Sequence, residues 1–121
     1  MKSGAASRNP QAGRVRPERL DALFGALSDP IRRAMIARLV QGECSVTTLG
    51  EPFPISSPAI TKHLDVLQNS GLIVRRKVGR VRYCRLQDAG LRDVGDWVAQ
   101  QRAFWQQQLD ALSRYLEGEQ K

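Results

Sequence analysis

Side chains that bind metals or carry redox chemistry are scarce in this sequence. It has two cysteines, Cys44 and Cys84, and one histidine, His63, among 121 residues. Two distant cysteines are too few for a disulfide framework or a cysteine-rich metal site. We therefore expect no metal and no cofactor, and we interpret both cysteines as small buried residues. A redox-sensing role for the thiol of Cys44 or Cys84 stays open as an alternative.

Catalytic groupings are also missing from the sequence. No nucleophile, base and oxyanion-stabilising group stand in a recognisable pattern, and no glycine-rich phosphate loop is present. His63 lies at the margin of an apolar helix face, where a packed, hydrogen-bonded histidine is expected more often than a metal ligand or a catalytic base. The sequence therefore predicts that the protein is not an enzyme.

Long hydrophobic runs are absent. No apolar segment approaches the length that spans a membrane, and the N-terminus lacks the apolar core of a signal peptide. These absences predict a cytoplasmic protein with reduced thiols and no membrane partner.

Acidic residues are outnumbered, since 19 lysines and arginines face 12 acids for a formal charge of +7. The excess is uneven, because residues 56–86 hold seven cations against Asp65 alone. This asymmetry favours a surface that binds a polyanion, most commonly a nucleic acid. Residues 1–16 are rich in Gly, Ser, Ala and Pro, and we predict a disordered basic tail followed by one domain over residues 17–118.

The periodicity of the chain predicts a mainly α fold with a small β-hairpin, comprising about five helices. One helix starts at Pro17 and a second follows Asp29-Pro30, an N-cap and a first-turn proline. Ser45 is suited to cap a short third helix, which the prolines of Pro52-Phe53-Pro54 end in a turn. With the helix that follows, this forms a helix-turn-helix.

The stretch SSPAITKHLDVLQNSG, residues 56–71, has the features of a DNA-recognition helix. Its apolar stripe is narrow, and the opposite arc carries short hydrogen-bonding groups around one lysine. Such groups can approach base edges and phosphates closely, although a solvated helix face is the alternative interpretation. The predicted contacts are Ser57, Thr61 and Lys62, with Ser56 and Ala59 close by.

The next stretch, LIVRRKVGRVRYCRL, predicts a two-stranded wing that turns at Val78-Gly79-Arg80. Six cations fall within eleven residues with no acid between them. Cations also protect edge strands from aggregation, but this density exceeds that need. We predict DNA contacts, to phosphates or within the minor groove, from Arg75, Lys77, Arg80 and Arg82.

A final helix over residues 88–117 carries a broad apolar face and both tryptophans. With the first helix it predicts a homodimer interface, which would place two recognition helices about one DNA turn apart. The alternatives are that these aromatics cap the chain's own core or line a ligand pocket. The predicted dimerisation residues are Leu20, Leu23, Phe24, Trp97, Phe104, Trp105, Leu109 and Leu112.

Several segments resemble the ArsR/SmtB family of bacterial winged-helix repressors. They are LFGALSDPIRRAMIARL, GECSVTTL, EPFPISSPAITKHLDVLQNSGLI and VGRVRYCRL, within a resemblance that covers about Leu20 to Leu116. The resemblance implies a homodimer through the first and last helices that binds operator DNA and often represses its own operon. Metal-sensing members carry cysteines where this chain has Ser45 and Thr47, and the last helix has no histidine. It therefore resembles a branch that lacks the usual metal sites.

The sequence thus predicts a dimeric, sequence-specific DNA-binding regulator of transcription, most simply a repressor that binds promoter DNA. Its inducer ligand, if any, is unknown from the sequence. The alternative from another class is a basic interaction module that binds RNA or an acidic protein.

Overall fold

The structure is a computed structural model that describes residues 15–119. The predicted tail, apart from Val15 and Arg16, lies outside the described residues. Residues 15–119 contain five helices: α1 (Pro17–Leu27), α2 (Pro30–Leu39), α3 (Val46–Gly50), α4 (Ser57–Asn69) and α5 (Asp88–Glu119). The same range contains three strands: β1 (Cys44–Ser45), β2 (Ile73–Val78) and β3 (Val81–Leu86). None of the helices within residues 15–119 combines the length and apolar content that crossing a membrane requires.

Short polar side chains set where the helices begin. The Asp29 carboxylate accepts hydrogen bonds from the backbone N–H groups of Ile31 and Arg32, at 2.8 and 3.1 Å. Ser45 Oγ accepts from the N–H of Thr48 at 3.1 Å, which starts α3. These bonds satisfy N–H groups that have no partner inside a helix, so they hold each start at one residue.

The small sheet is antiparallel with strand order β1-β3-β2. The predicted wing is the β2–β3 hairpin, whose register pairs Ile73 with Leu86 and Val78 with Val81. Gly79 has a φ of 62° at the first of the two turn residues, the conformation that a tight type II′ turn requires. The prediction of two strands missed β1, because a two-residue strand leaves no alternating pattern in the sequence.

The described residues divide into two compact units, residues 16–93 and the part of α5 that begins at Val94. The first unit contains the helix-turn-helix, the wing and the first turns of α5. Its core is formed by apolar side chains from α1 to β3: Leu23, Met35, Leu49, Leu64, Leu67, Leu72, Ile73 and Cys84.

The start of α5 packs against the residues that follow the recognition helix. A Cβ on Gly90 would lie 2.3 Å from the carbonyl oxygen of Gly71, so only glycine allows this approach. Arg19 on α1 adds two bonds to the same region. Its Nε contacts the Asp93 carboxylate at 2.6 Å, and its Nη1 donates to the Ser70 carbonyl at 3.4 Å. The C-terminal end of α4 is therefore held from two sides.

Candidate nucleic-acid interface

Helix α4 turns an apolar face inward and a polar face outward. Ile60, Leu64 and Leu67 are buried, while Thr61 and Lys62 are exposed. Because buried and exposed positions alternate with helical spacing, the exposed set lies along one side of the helix. The residues predicted to approach DNA are placed there, with Ser57 in the first turn of that helix.

Ser56 and Ala59, which were predicted to lie beside the base contacts, are bonded to each other at the start of α4. Ser56 Oγ accepts a hydrogen bond from the Ala59 N–H at 3.2 Å, so its hydroxyl oxygen caps α4. Ala59 is half-buried. We therefore regard Ser56 and Ala59 as residues that fix the start of the helix beside the predicted contacts.

His63 connects the recognition helix to the beginning of α2. Arg32 Nη1 lies 3.1 Å from His63 Nδ1, while Arg32 Nε donates to the Ala26 carbonyl at 2.7 Å. A guanidinium only donates, so His63 Nδ1 is the acceptor in this contact. The Asp29 carboxylate lies 3.9 Å from the same nitrogen. The hydrogen bond from the backbone N–H of Arg32 lowers the pKa of Asp29, with smaller contributions from His63 and from the backbone N–H of Ile31. His63 thus has the hydrogen-bonded structural role that the sequence predicted.

The register of the wing separates its cations onto two faces. Arg75 pairs with Cys84 and Lys77 pairs with Arg82, so these four side chains share one face of the hairpin. Arg76 and Arg85 lie on the other face. The first face meets the recognition helix, because Arg75 bonds to Asp65 and Gln68 of α4. We call it the inner face of the wing.

Arg75 and Arg76 are engaged inside the chain. Arg75 donates to Asp65 Oδ1 and to Gln68 Oε1, both at 2.6 Å. Arg76 makes two 2.9 Å bonds to the Glu43 carboxylate and lies 5.6 Å from the centre of the Tyr83 ring. The hydrogen bond from Arg76 lowers the pKa of Glu43. Arg75 was predicted to contact DNA, but its side chain links the wing to α4 through these hydrogen bonds. We therefore leave Arg75 out of the proposed DNA contacts.

The other predicted cations are unpaired. Among residues 15–119, Lys62, Lys77, Arg80 and Arg82 make no ion pair. Lys77 and Arg82 lie directly opposite each other on the hairpin, an arrangement that destabilises a sheet when the charges are alike. Two like charges with no acid of the described chain beside them are suited to bind an external anion. The inner face and the tip of the wing therefore fit phosphate.

The two cysteines are brought together by the sheet, which the sequence did not predict. Cys44 on β1 is the register partner of Cys84 on β3, and both are buried free thiols. Burial, with smaller contributions from Cys44 and Glu43, raises the pKa of Cys84 to about 11. A thiol that stays protonated is a poor nucleophile, so this environment favours the packing role over redox sensing. Within residues 15–119, no three His, Cys, Asp or Glu side chains come together as a metal site.

The residues predicted for dimerisation fall into different environments. Leu23 is fully buried, so it packs within its own chain and offers no surface to a second copy, a correction to the prediction. Leu20 and Trp97 are half-buried, and Phe24 is 38% exposed. The strongest exposure is on the second half of α5, at Phe104, Trp105, Leu109 and Leu112, each more than half exposed.

A helix-turn-helix domain followed by a basic hairpin defines a winged helix-turn-helix DNA-binding protein. A helix-turn-helix domain family matches residues 27–76 of the chain. The chain is 31% identical over 99 residues to the HTH-type transcriptional regulator Rv2034 of Mycobacterium tuberculosis, covering 82% of this chain and 90% of that protein. It is 32% identical over 79 residues to the transcriptional repressor SdpR of Bacillus subtilis, covering 65% and 88%.

Solved structures show the same architecture. A crystal structure of an ArsR family transcriptional regulator matches with a TM-score of 0.73 and 39% identity, over 77% of this chain and 96% of that one. A homodimeric winged helix-turn-helix domain from Mycobacterium bovis shares the fold, with a TM-score of 0.57 and 20% identity, over 72% and 82%. The chain belongs to the ArsR/SmtB family of winged helix-turn-helix repressors. It is a DNA-binding transcriptional repressor of the ArsR type, from a family of regulators and not of enzymes.

Proposed function

We propose that the protein represses transcription as a homodimer that reads an operator sequence through α4 and holds the DNA backbone through the wing. The observation that carries this proposal is the juxtaposition of a polar recognition face with unpaired cations on the inner face of the wing. Ser57, Thr61 and Lys62 read base edges, and Lys77, Arg80 and Arg82 contact phosphates. Bound to promoter DNA, the dimer competes with polymerase.

The second copy is positioned through the exposed stripe of α5. Trp105, Leu109 and Leu112 recur at helical spacing, so they form one apolar surface along the helix. Phe104 packs edge-on against Trp105, with ring centres 5.5 Å apart. Contiguous apolar surface of this kind is characteristic of an interface. Dimerisation then presents two recognition helices to two half-sites about one helical turn apart.

The first experiment measures fluorescence anisotropy of the protein on the DNA upstream of its own gene, against scrambled DNA of equal length, near physiological salt. A preference of about a thousandfold supports sequence-specific autoregulation. Equal affinities for both duplexes would contradict specific reading of that operator. Stronger binding to structured RNA than to either duplex would favour the interaction-module alternative.

Single substitutions separate the two kinds of contact. Lys62→Ala should reduce discrimination between operator and scrambled DNA by about tenfold or more, whereas Arg80→Ala should weaken both duplexes alike. Arg85→Ala is the charge-matched control, because Arg85 lies on the other face of the wing. Operator affinity that both Lys62→Ala and Arg80→Ala leave unchanged would overturn the assignment of these residues.

The dimer is tested separately by sedimentation equilibrium. Leu109→Asp places a charge in the centre of the exposed stripe and should shift the protein to monomer, while its circular dichroism stays that of a folded chain. Gln107→Asp changes the charge equally at an exposed residue that points away from Trp105, Leu109 and Leu112, and it should leave the dimer intact. A Leu109→Asp protein that remains dimeric would refute this interface.

A further inference from the structure

A polar cleft lies between the helix-turn-helix and the wing. Its volume is about 310 Å³. It is lined from three directions, by the first turn of α3, by the middle of α4 and by the tip of the wing. The lining residues are Val46, Thr47, Thr61, Arg80, Val81 and Arg82.

The polar groups of the cleft are hydrogen-bond donors without an acid among them. Arg80 and Arg82 supply two guanidinium groups that make no ion pair within residues 15–119. Thr47 is exposed, and its hydroxyl has no hydrogen-bond partner among the described residues. The next residue differs, because the Thr48 hydroxyl accepts a 2.9 Å bond from Ser45. A cleft with two cations, free hydroxyls and no carboxylate suits a tetrahedral oxyanion.

The position of the cleft identifies which oxyanion reaches it. A recognition helix enters the major groove, and a wing beside it reaches the adjacent minor groove. Those two grooves are separated by one sugar–phosphate strand. This strand must therefore pass over the gap between α4 and the wing tip, which is where the cleft lies.

We propose that the cleft binds one backbone phosphate of the strand that separates the two grooves. Thr47 donates its hydroxyl to the phosphate, and Arg80 and Arg82 donate from the wing. Thr61 borders the site from the recognition helix. The inference rests on the proposed function and adds one residue to it, Thr47, which the sequence did not indicate as a DNA contact.

The consequence for recognition is geometric. A phosphate held at once by α3 and by the wing fixes how far along the groove α4 sits, although it carries no sequence information itself. Thr47 is therefore a positioning residue. Its loss should weaken binding to every duplex by a similar factor.

The test uses the full-length protein and a duplex that it enriches from a random DNA pool, with a scrambled duplex of equal length beside it. Thr47→Val removes the hydroxyl and keeps the shape, and we expect about tenfold weaker binding to both duplexes, equivalent to one hydrogen bond to a charged group. Arg82→Gln should also lower the slope of log affinity against log salt by about 0.9, the value for one lost phosphate contact. Thr48→Val and Arg85→Gln are the matched controls, and they should leave affinity and slope unchanged.

A chemical substitution in the DNA locates the phosphate. Neutral methylphosphonates are placed singly along one half-site of the enriched duplex, and one position should weaken the wild-type protein. On the duplex with that methylphosphonate, Thr47→Val should cost less affinity than it costs on the unmodified duplex, because the charged group to which the hydroxyl donates is gone.

The outcomes distinguish the two proposals. If the duplex is bound and Thr47→Val behaves as Thr48→Val does, the phosphate site of the cleft is overturned, while the proposed contacts of α4 and the wing stand. If losses from Thr47→Val and from every methylphosphonate are simply additive, Thr47 contacts no phosphate and the site is again refuted. If the folded wild-type protein binds no duplex, both proposals fail.

Discussion

Gly90→Ala is the substitution whose effect on stability follows most directly from the structure. The added Cβ would lie 2.3 Å from the carbonyl oxygen of Gly71, 2.8 Å from its carbonyl carbon and 3.2 Å from the backbone nitrogen of Leu72. All three are backbone atoms, so no side chain can rotate away to relieve the overlap. Overpacking of this kind costs typically 1–3 kcal/mol, and we expect the upper end, about 3 kcal/mol. For a chain of this size that loss corresponds to a decrease in Tm of about 10 °C.

Gly95→Ala is the matched control, five residues further along the same helix. A Cβ at Gly95 would meet nothing within 4 Å. Alanine is a better helix former than glycine, so this variant should be more stable than the wild type by up to about 1 kcal/mol. The two substitutions are chemically identical, yet they should change the free energy of unfolding in opposite directions.

The assay is thermal and urea unfolding followed by circular dichroism, with DNA affinity measured at a temperature where both variants are folded. Because Gly71 directly follows the recognition helix, movement at this contact changes the position of α4 relative to the wing. We therefore expect Gly90→Ala to weaken DNA binding even where the protein is folded, and Gly95→Ala to leave it unchanged. A Gly90→Ala protein as stable as Gly95→Ala would refute the close approach on which the reasoning depends.

Three further predictions concern the caps, the wing and the thiols. Asp29→Ala should lower the free energy of unfolding at neutral pH. The difference from the wild type should shrink as the pH falls below about 4, because a carboxylate with a lowered pKa stabilises the fold only while it is ionised. Asp29→Asn keeps a capping side chain, so it should show a smaller loss at pH 7 in urea unfolding. Arg75→Ala should destabilise the protein by about 1 kcal/mol through loss of the contacts to Asp65 and Gln68, and it should leave the salt slope of DNA binding unchanged. Lys77→Ala should lower the salt slope without destabilising the protein. A lower salt slope for Arg75→Ala would show that Arg75 exchanges Asp65 for phosphate. Cys84, with its pKa raised to about 11, should react slowly with iodoacetamide at pH 7.5 in the folded protein. Hydrogen peroxide should leave operator affinity unchanged. Rapid labelling of Cys84, or release of the protein from DNA by peroxide, would restore the redox-sensing alternative.

The features that the sequence predicted well are those that depend on neighbouring residues. Asp29, Ser45 and Gly79 were recognised from a few flanking residues, and each has the predicted capping or turn conformation. The buried stripe of α4 also follows from spacing within one helix. Local hydrogen bonds and helical periodicity decide these features, and both can be read directly from the order of the residues.

The features that the sequence did not reveal depend on which distant segments meet. The β1 strand is two residues long and exists only because β3 lies beside it. The same pairing brings Cys44 against Cys84, forty positions away along the chain. Leu23 belongs to the same apolar stripe as Leu20 and Phe24, yet only Leu23 is completely buried. Periodicity identifies an apolar face but does not say whether the chain itself or a second copy covers it.

The wing shows how pairing within the chain changes the meaning of a charge count. Arg75 and Arg76 are neighbours in sequence, but they point to opposite faces, and each meets a carboxylate of its own chain. Lys77 and Arg82 face each other without an acid, so the free wing contains a repulsion that a phosphate would relieve. The proposed phosphate contacts form only in the folded state, so by linkage DNA binding should stabilise the hairpin. The cations that weaken the hairpin when it is empty are therefore the ones through which DNA should stabilise it.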